Sequence, residues 1–189
     1  MVPAGTRVLD LGCGDGALLD HLIRAKGCDG HGVEISTEGF HACIDRGVPV
    51  IQADIDEGLG DYESDSFDVV VLSQTLQATR RPGFVLQEMM RVAPAAIVSF
   101  PNFGHWRLRL ALLAGGRMPS SRVLPYAWHD TPNIHLCTIR DFESLAEAEG
   151  LRITTRVPLN GRGGHSSGAA GRRPNLLAAG AVYRLERGT

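Results

Sequence analysis

The segment Asp10-Leu11-Gly12-Cys13-Gly14-Asp15-Gly16, set directly after Arg7-Val8-Leu9, constrains the fold more than any other stretch of this chain. A short apolar run feeds three alternating glycines, and a helical pattern follows from Ala17 to Ala25. That layout is a strand, a tight turn and a helix. Glycines let the backbone approach a ligand closely, and a helix N-terminus points its free N–H groups at the same place. The first strand is therefore also the first piece of a nucleotide-type cofactor site.

Apolar runs and helical patterns alternate through the rest of the chain. Strands are expected over 7–11, 31–35, 49–52, 67–72 and 95–100, and helices over 16–26, 37–46, 82–91 and 140–149. Pro82 suits a first helical turn, and Gly150 suits a helix C-terminus. The Val69-Val70-Val71 run is apolar on both faces, as in parallel sheets covered by helices on both sides. Segments 151–157 and 176–185 read as two closing strands. The alternation predicts a doubly wound, mostly parallel α/β sheet in a single domain spanning 1–189. Two segments interrupt it. Residues 102–137 form an inserted aromatic segment that holds both tryptophans, Trp106 and Trp128; residues 160–174 are rich in glycine, serine and arginine and read as a mobile loop.

The glycine spacing is G-x-G-x-G, not the G-x-G-x-x-G of dinucleotide enzymes, which disfavours a hydride-transferring dehydrogenase. The loop contains no lysine, so a triphosphate P-loop is excluded, and Asp10 at its mouth suits a cationic ligand. Glu34, Asp54 and Ser73 end or follow the second, third and fourth strands. Parallel strands bring their C-terminal ends to one sheet edge, where ligands bind. The candidate cofactor-binding set is therefore Asp10, Gly12, Gly14, Gly16, Glu34, Asp54 and Ser73. Singly, each has a plainer reading: Asp15 caps a helix, Asp54 sits in a turn, Glu34 faces water.

The net charge of −2 points to neither a nucleic-acid nor an anionic-membrane partner, and no apolar run reaches the length of a membrane span. A cytoplasmic location is the default expectation. Cys13, Cys28, Cys43 and Cys137 form no CxxC pair, so reduced thiols are expected rather than disulfides or a zinc site.

From Val8 to Gly16 the chain resembles the first motif of class I S-adenosylmethionine-dependent methyltransferases. The resemblance implies that the glycine loop and Asp10 face the methionine moiety, that Glu34 holds the ribose and that Asp54 lies near the adenine. It also implies a Rossmann-like sheet of seven strands with the last one antiparallel. A narrower likeness rests on Val71 to Gln77, Phe100 to Trp106, Gly116 to Pro119, Leu124 to Tyr126 and Thr131 to His135, which together resemble the methionine biosynthesis family MetW. That family implies a role beside homoserine O-acyltransferase (MetX). Only Met1 to Thr6 precede the first strand, which leaves no room for a helix over the cofactor; either the fold does without one or the chain is a shortened version.

Two functions are open on these residues. One is an S-adenosylmethionine-dependent methyltransferase acting on a small molecule. The other is a non-catalytic accessory or regulatory subunit of MetX. Gln74, Gln77, Asn102, His105, Trp106, Tyr126, His129 and His135 are expected to roof the site, with His105 and His135 the candidates for a base. Trp106, Arg107, Arg109, Met118, Tyr126 and Trp128 are residue types enriched at protein–protein hot spots, so a partner contact is one reading of this segment. For Trp106 and Trp128 the expectation leans to core packing, and for the arginines to a partner role.

Overall fold

Seven strands form one sheet: β1 (Arg7–Leu11), β2 (Asp29–Glu34), β3 (Val50–Gln52), β4 (Val69–Ser73), β5 (Ala95–Pro101), β6 (Leu151–Leu159) and β7 (Gly180–Arg187). The computed structural model describes residues 1–121, 124–160, 164 and 172–188. The strand order is β3-β2-β1-β4-β5-β7-β6. Every pairing from β3 through β5 is parallel, and β7 runs antiparallel to both β5 and β6. This is the doubly wound sheet expected from the alternation, with the reversed last strand that the resemblance implies. The chain leaves β1 towards β2 on one side and returns to β4 on the other, so the switch point lies between β1 and β4.

Helices α1 (Ala17–Lys26), α2 (Thr37–Arg46), α3 (Pro82–Val92), α4 (Trp106–Gly115) and α5 (Ile139–Ala148) and the single turn α6 (Pro174–Leu177) complete the fold. Alternate strand residues face opposite sides of the sheet. Leu9, Leu11, Val70, Leu72, Val98 and Phe100 join one core with residues of α3 and α5. Val8, Val69, Val71 and Ile97 join a second core with Leu19 and Leu22 of α1 and Cys43 of α2. Burial on both faces explains why β4 reads as a continuous apolar run and why β1 and β5 are largely apolar. The edge strand β6 is only partly buried and carries a register shift between Ile153 and Thr155.

Local signals end the helices as their chemistry requires. The Ser36 hydroxyl accepts from Gly39 N at 2.9 Å to cap α2, and Thr138 with Asp141 forms a reciprocal capping box on α5. Strand bounds need correction; the second strand, expected over 31–35, is Asp29–Glu34. The last strand begins at Gly180, not 176, because Pro174 starts a helical turn whose carbonyl takes the Ala178 N–H. The fourth strand begins at Val69, because Phe67 N donates instead to Val92 O at 3.1 Å, outside the ladder. Most of the loop expected over 160–174 lies outside the described residues. No described helix is long and apolar enough to cross a membrane.

Candidate functional site

The glycine loop crosses the switch point with its backbone held from two sides. Gly12 N and Cys13 N both donate to Val33 O, at 2.8 and 3.2 Å. Gly12 has φ +65°, and a Cβ there would lie 2.5 Å from Thr75 Cγ2. Only glycine meets both conditions, so β1 and the end of β4 can close on one another. Gly14 has φ +59° with open space where its Cβ would stand, which leaves that stretch of backbone free to be approached. Gly16 is the N-cap of α1, and the Asp15 carboxylate accepts from Ala17 N at 3.1 Å.

Glu34 does not face water. Its carboxylate accepts from Gly14 N at 2.8 Å through Oε2 and from Ser36 N at 2.9 Å through Oε1, so it braces the loop against the end of β2. Each oxygen retains a further lone pair for a hydroxyl donor.

Asp10 is the most unusual group in the site. It shares the sheet face of Val8, is 2% exposed, and its Oδ1 has no hydrogen-bond partner among the described residues. Burial, with a smaller contribution from the Glu34 charge, pushes its carboxyl up to about 7. A buried carboxyl without a partner is costly unless a donor or a cation meets it.

A cleft of about 170 Å³ opens beside the loop, with Gly12, Ile35, Ala53, Asp54, Thr75 and Arg80 among its walls. Asp54 accepts from Asp56 N at 2.9 Å and pairs with the Arg80 guanidinium at 2.5 Å. Asp56 is buried and accepts from the backbone N–H groups of Arg80 and Arg81 at 2.8 to 3.0 Å. Burial alone would raise its carboxyl, but those N–H groups and the Arg80 charge outweigh it and hold the group below its usual range. Asp56, Thr75 and Arg80 were not among the sequence candidates. The spacing of Asp54 and Asp56 was the only local signal, whereas Arg80 arrives from beyond β4.

Ser73 points elsewhere. Its hydroxyl meets that of Ser99 at 3.1 Å, and it lines a separate cavity of about 300 Å³ with Leu18, His21, Val71, Ile97 and Ser99. The structure thus brings Gly12 and Asp54 into one cleft and Ser73 into another. Gln74, between them, has φ +58°, a conformation rare outside glycine, and its N donates to Ser99 O at 2.9 Å.

The roof residues divide. Asn102 is fully buried and holds backbone rather than facing a cleft: Oδ1 accepts from Gly104 N, and Nδ2 donates to Ala178 O and Asn175 O at 2.8 and 3.1 Å. His105 caps α4, its Nδ1 accepting from Arg107 N at 3.3 Å; burial and the Arg107 charge lower its pKa. His135 sits where Ile134 N and His135 N both donate to Gln77 O, at 2.8 and 2.9 Å, and the Gln77 side chain in turn donates to Gln74 O. Among the described residues, neither histidine pairs with a carboxylate. The core-packing expectation for the tryptophans is overturned: Trp106 is 41% exposed and Trp128 75%. The segment from Phe103 to Leu136 instead walls an aromatic cleft of about 370 Å³.

A family model described as methionine biosynthesis protein MetW matches residues 1–185. The bifunctional methionine biosynthesis protein MetXA/MetW of Rhodopirellula baltica is 40% identical over 77% of this chain, a match covering 25% of that protein. The ubiquinone biosynthesis O-methyltransferase of Methylococcus capsulatus is 29% identical over 67% of this chain and 56% of its own length. The chain thus spans about half or less of these relatives. Among solved structures, a chain of the complex between the Haloferax volcanii Trm112 methyltransferase activator and a methyltransferase superimposes with TM-score 0.72 at 17% identity, covering 100% of this chain and 85% of that one. This last likeness concerns the fold.

Proposed function

This chain belongs to the MetW family of methionine biosynthesis proteins and has a methyltransferase-like fold, and from that premise we propose that it binds S-adenosylmethionine at the β1–β4 switch point and directs its methyl group to a small molecule. The observation that carries this reading is Asp10. A carboxyl buried without a partner beside an open glycine loop fits a ligand bearing an ammonium and a sulfonium. Asp10 and the Gly12–Gly14 backbone take the methionine end. The free lone pairs of Glu34 take ribose hydroxyls. Asp54, with the apolar walls Ile35 and Ala53, lies at the adenine end of the cleft.

When bound, the cofactor supplies an electrophilic methyl group on sulfur. The residues of this chain supply position. An acceptor that is already nucleophilic needs no strong base, and holding two reactants in line provides much of the rate. His105 is committed as a helix cap through Nδ1, which leaves positioning as the main device.

Titration calorimetry with S-adenosylmethionine, with NAD as control, tests the reading. Saturable binding of S-adenosylmethionine alone supports it; equal binding of both, or of neither, refutes it. A second reading, an accessory subunit of a MetX-type acyltransferase, is favoured by the relative that carries MetXA and MetW in one polypeptide. Formation of S-adenosylhomocysteine with a methylated product separates the two: the accessory reading expects binding without turnover.

A further inference from the structure

The inserted segment 102–137 is unusually apolar for something so exposed. Among the described residues, nine of the fifteen exposed large hydrophobic side chains lie within it, although it makes up under a fifth of the chain. Helix α4, Trp-Arg-Leu-Arg-Leu-Ala-Leu-Leu-Ala-Gly, carries apolar residues on every side, interrupted by Arg107 and Arg109, yet only Leu108 is buried. Leu110 is 54% exposed and Leu113 84%. A helix that leaves this much apolar surface exposed belongs against a second surface. The aromatic cleft adjoins it, with Phe103, Met118, Leu124, Tyr126, Trp128 and Leu136 in its walls. Exposed aromatics around a concave pocket are the residues and the shape of an interface hot spot.

The charge on this segment narrows the occupant. Its described residues carry Arg107, Arg109 and Arg117 against the single acid Asp130, whereas the whole chain has a net charge of −2. Two copies of this surface facing one another would oppose like charges, which disfavours self-association. The complementary partner is a different protein with an apolar centre and an acidic rim. Resting on the association reading above, we infer that segment 102–137 is the docking surface for the MetX-type acyltransferase, with α4 and the aromatic cleft receiving apolar anchor residues of that enzyme.

The surface also touches the cofactor end of the sheet. Backbone of 134–135 is bonded to Gln77, and Gln77 to Gln74 beyond β4, so the docked enzyme lies over the strand ends rather than on a remote face.

The test mixes the full chain with the MetX-type acyltransferase of the same organism and measures affinity by calorimetry, and self-association by sedimentation. Leu113→Asp and Trp128→Ala alter the surface, and Ile44→Asp, on exposed α2, serves as control. Thermal melting and S-adenosylmethionine affinity establish that each variant is folded. Leu113→Asp and Trp128→Ala should each weaken the complex at least about tenfold, with Ile44→Asp unchanged. Wild-type binding that both surface variants retain overturns the surface while the association stands. Failure of the wild type to bind the enzyme sinks the association reading and this inference with it. Self-association abolished by Leu113→Asp assigns the surface to a second copy and also overturns the inference.

Discussion

Replacing Asp10 by asparagine should make the free protein more stable and the cofactor complex weaker, with both effects depending on pH. The carboxyl moves from its ordinary 3.8 to about 7 on folding, because burial first and the Glu34 charge second penalise the ionised form. Each pKa unit corresponds to about 1.4 kcal/mol, so full ionisation in the folded state costs about 4 kcal/mol. The sign follows from proton counting. Between about pH 4 and pH 7 the unfolded chain has released this proton and the native chain retains it, so stability falls as pH rises through that window and is level above it. The asparagine amide has no proton to lose in that range. Relative to wild type, Asp10→Asn should therefore gain about 4 kcal/mol between pH 4 and pH 8 in urea unfolding. Cofactor affinity should move the other way. At pH 6 only about one carboxyl in ten is ionised, so wild-type binding of S-adenosylmethionine should weaken about tenfold from pH 8 to pH 6, and the variant should lose that dependence. Parallel stability profiles for the two proteins across pH 4 to 8 would refute the buried-carboxyl reasoning. Undiminished cofactor affinity in Asp10→Asn would refute the ligand assignment.

Two further outcomes are expected. Gly12→Ala places a methyl group 2.5 Å from Thr75 Cγ2 at φ +65°, and should cost about 2–3 kcal/mol in chemical unfolding and abolish detectable cofactor binding in calorimetry; a wild-type Tm would show that the turn has slack. Asn102→Ala leaves the buried N–H of Gly104 and the carbonyl of Ala178 without their side-chain partner, and should lower stability by about 2–4 kcal/mol with early proteolysis between 102 and 137; unchanged protease resistance would mean that other contacts anchor the segment.

Much of the fold was legible because its causes are local. The glycine loop, the apolar strands and the capping serine and threonine act over a few residues, and strand ends in a parallel sheet share one edge whatever the loops do. Asp10, Gly12, Gly14, Glu34 and Asp54 stood out for that reason. Legibility failed where a residue's surroundings come from far along the chain. Glu34 reads equally well as a surface acid until the Gly14 N–H, 20 positions away, is placed on it. Arg80 reaches Asp54 across 26 positions, and no spacing rule foretells that pair. Trp106 and Trp128 have the chemistry of core residues, yet they stand exposed, and 102–137 is tied down by the Asn102 side chain on the 174–178 turn and by the backbone of 134–135 on Gln77.

The sequence by itself thus determined the order of strands and helices along the chain, the turn that only glycine can make, and which acids stand at strand ends, since backbone preference and hydrophobic period are properties of short segments. Tertiary structure alone decided which carboxyl is left buried without a partner, which is neutralised by arginine, and which apolar face is left uncovered. Those outcomes depend on desolvation and on the meeting of side chains far apart in the chain, and both exist only once the elements have packed.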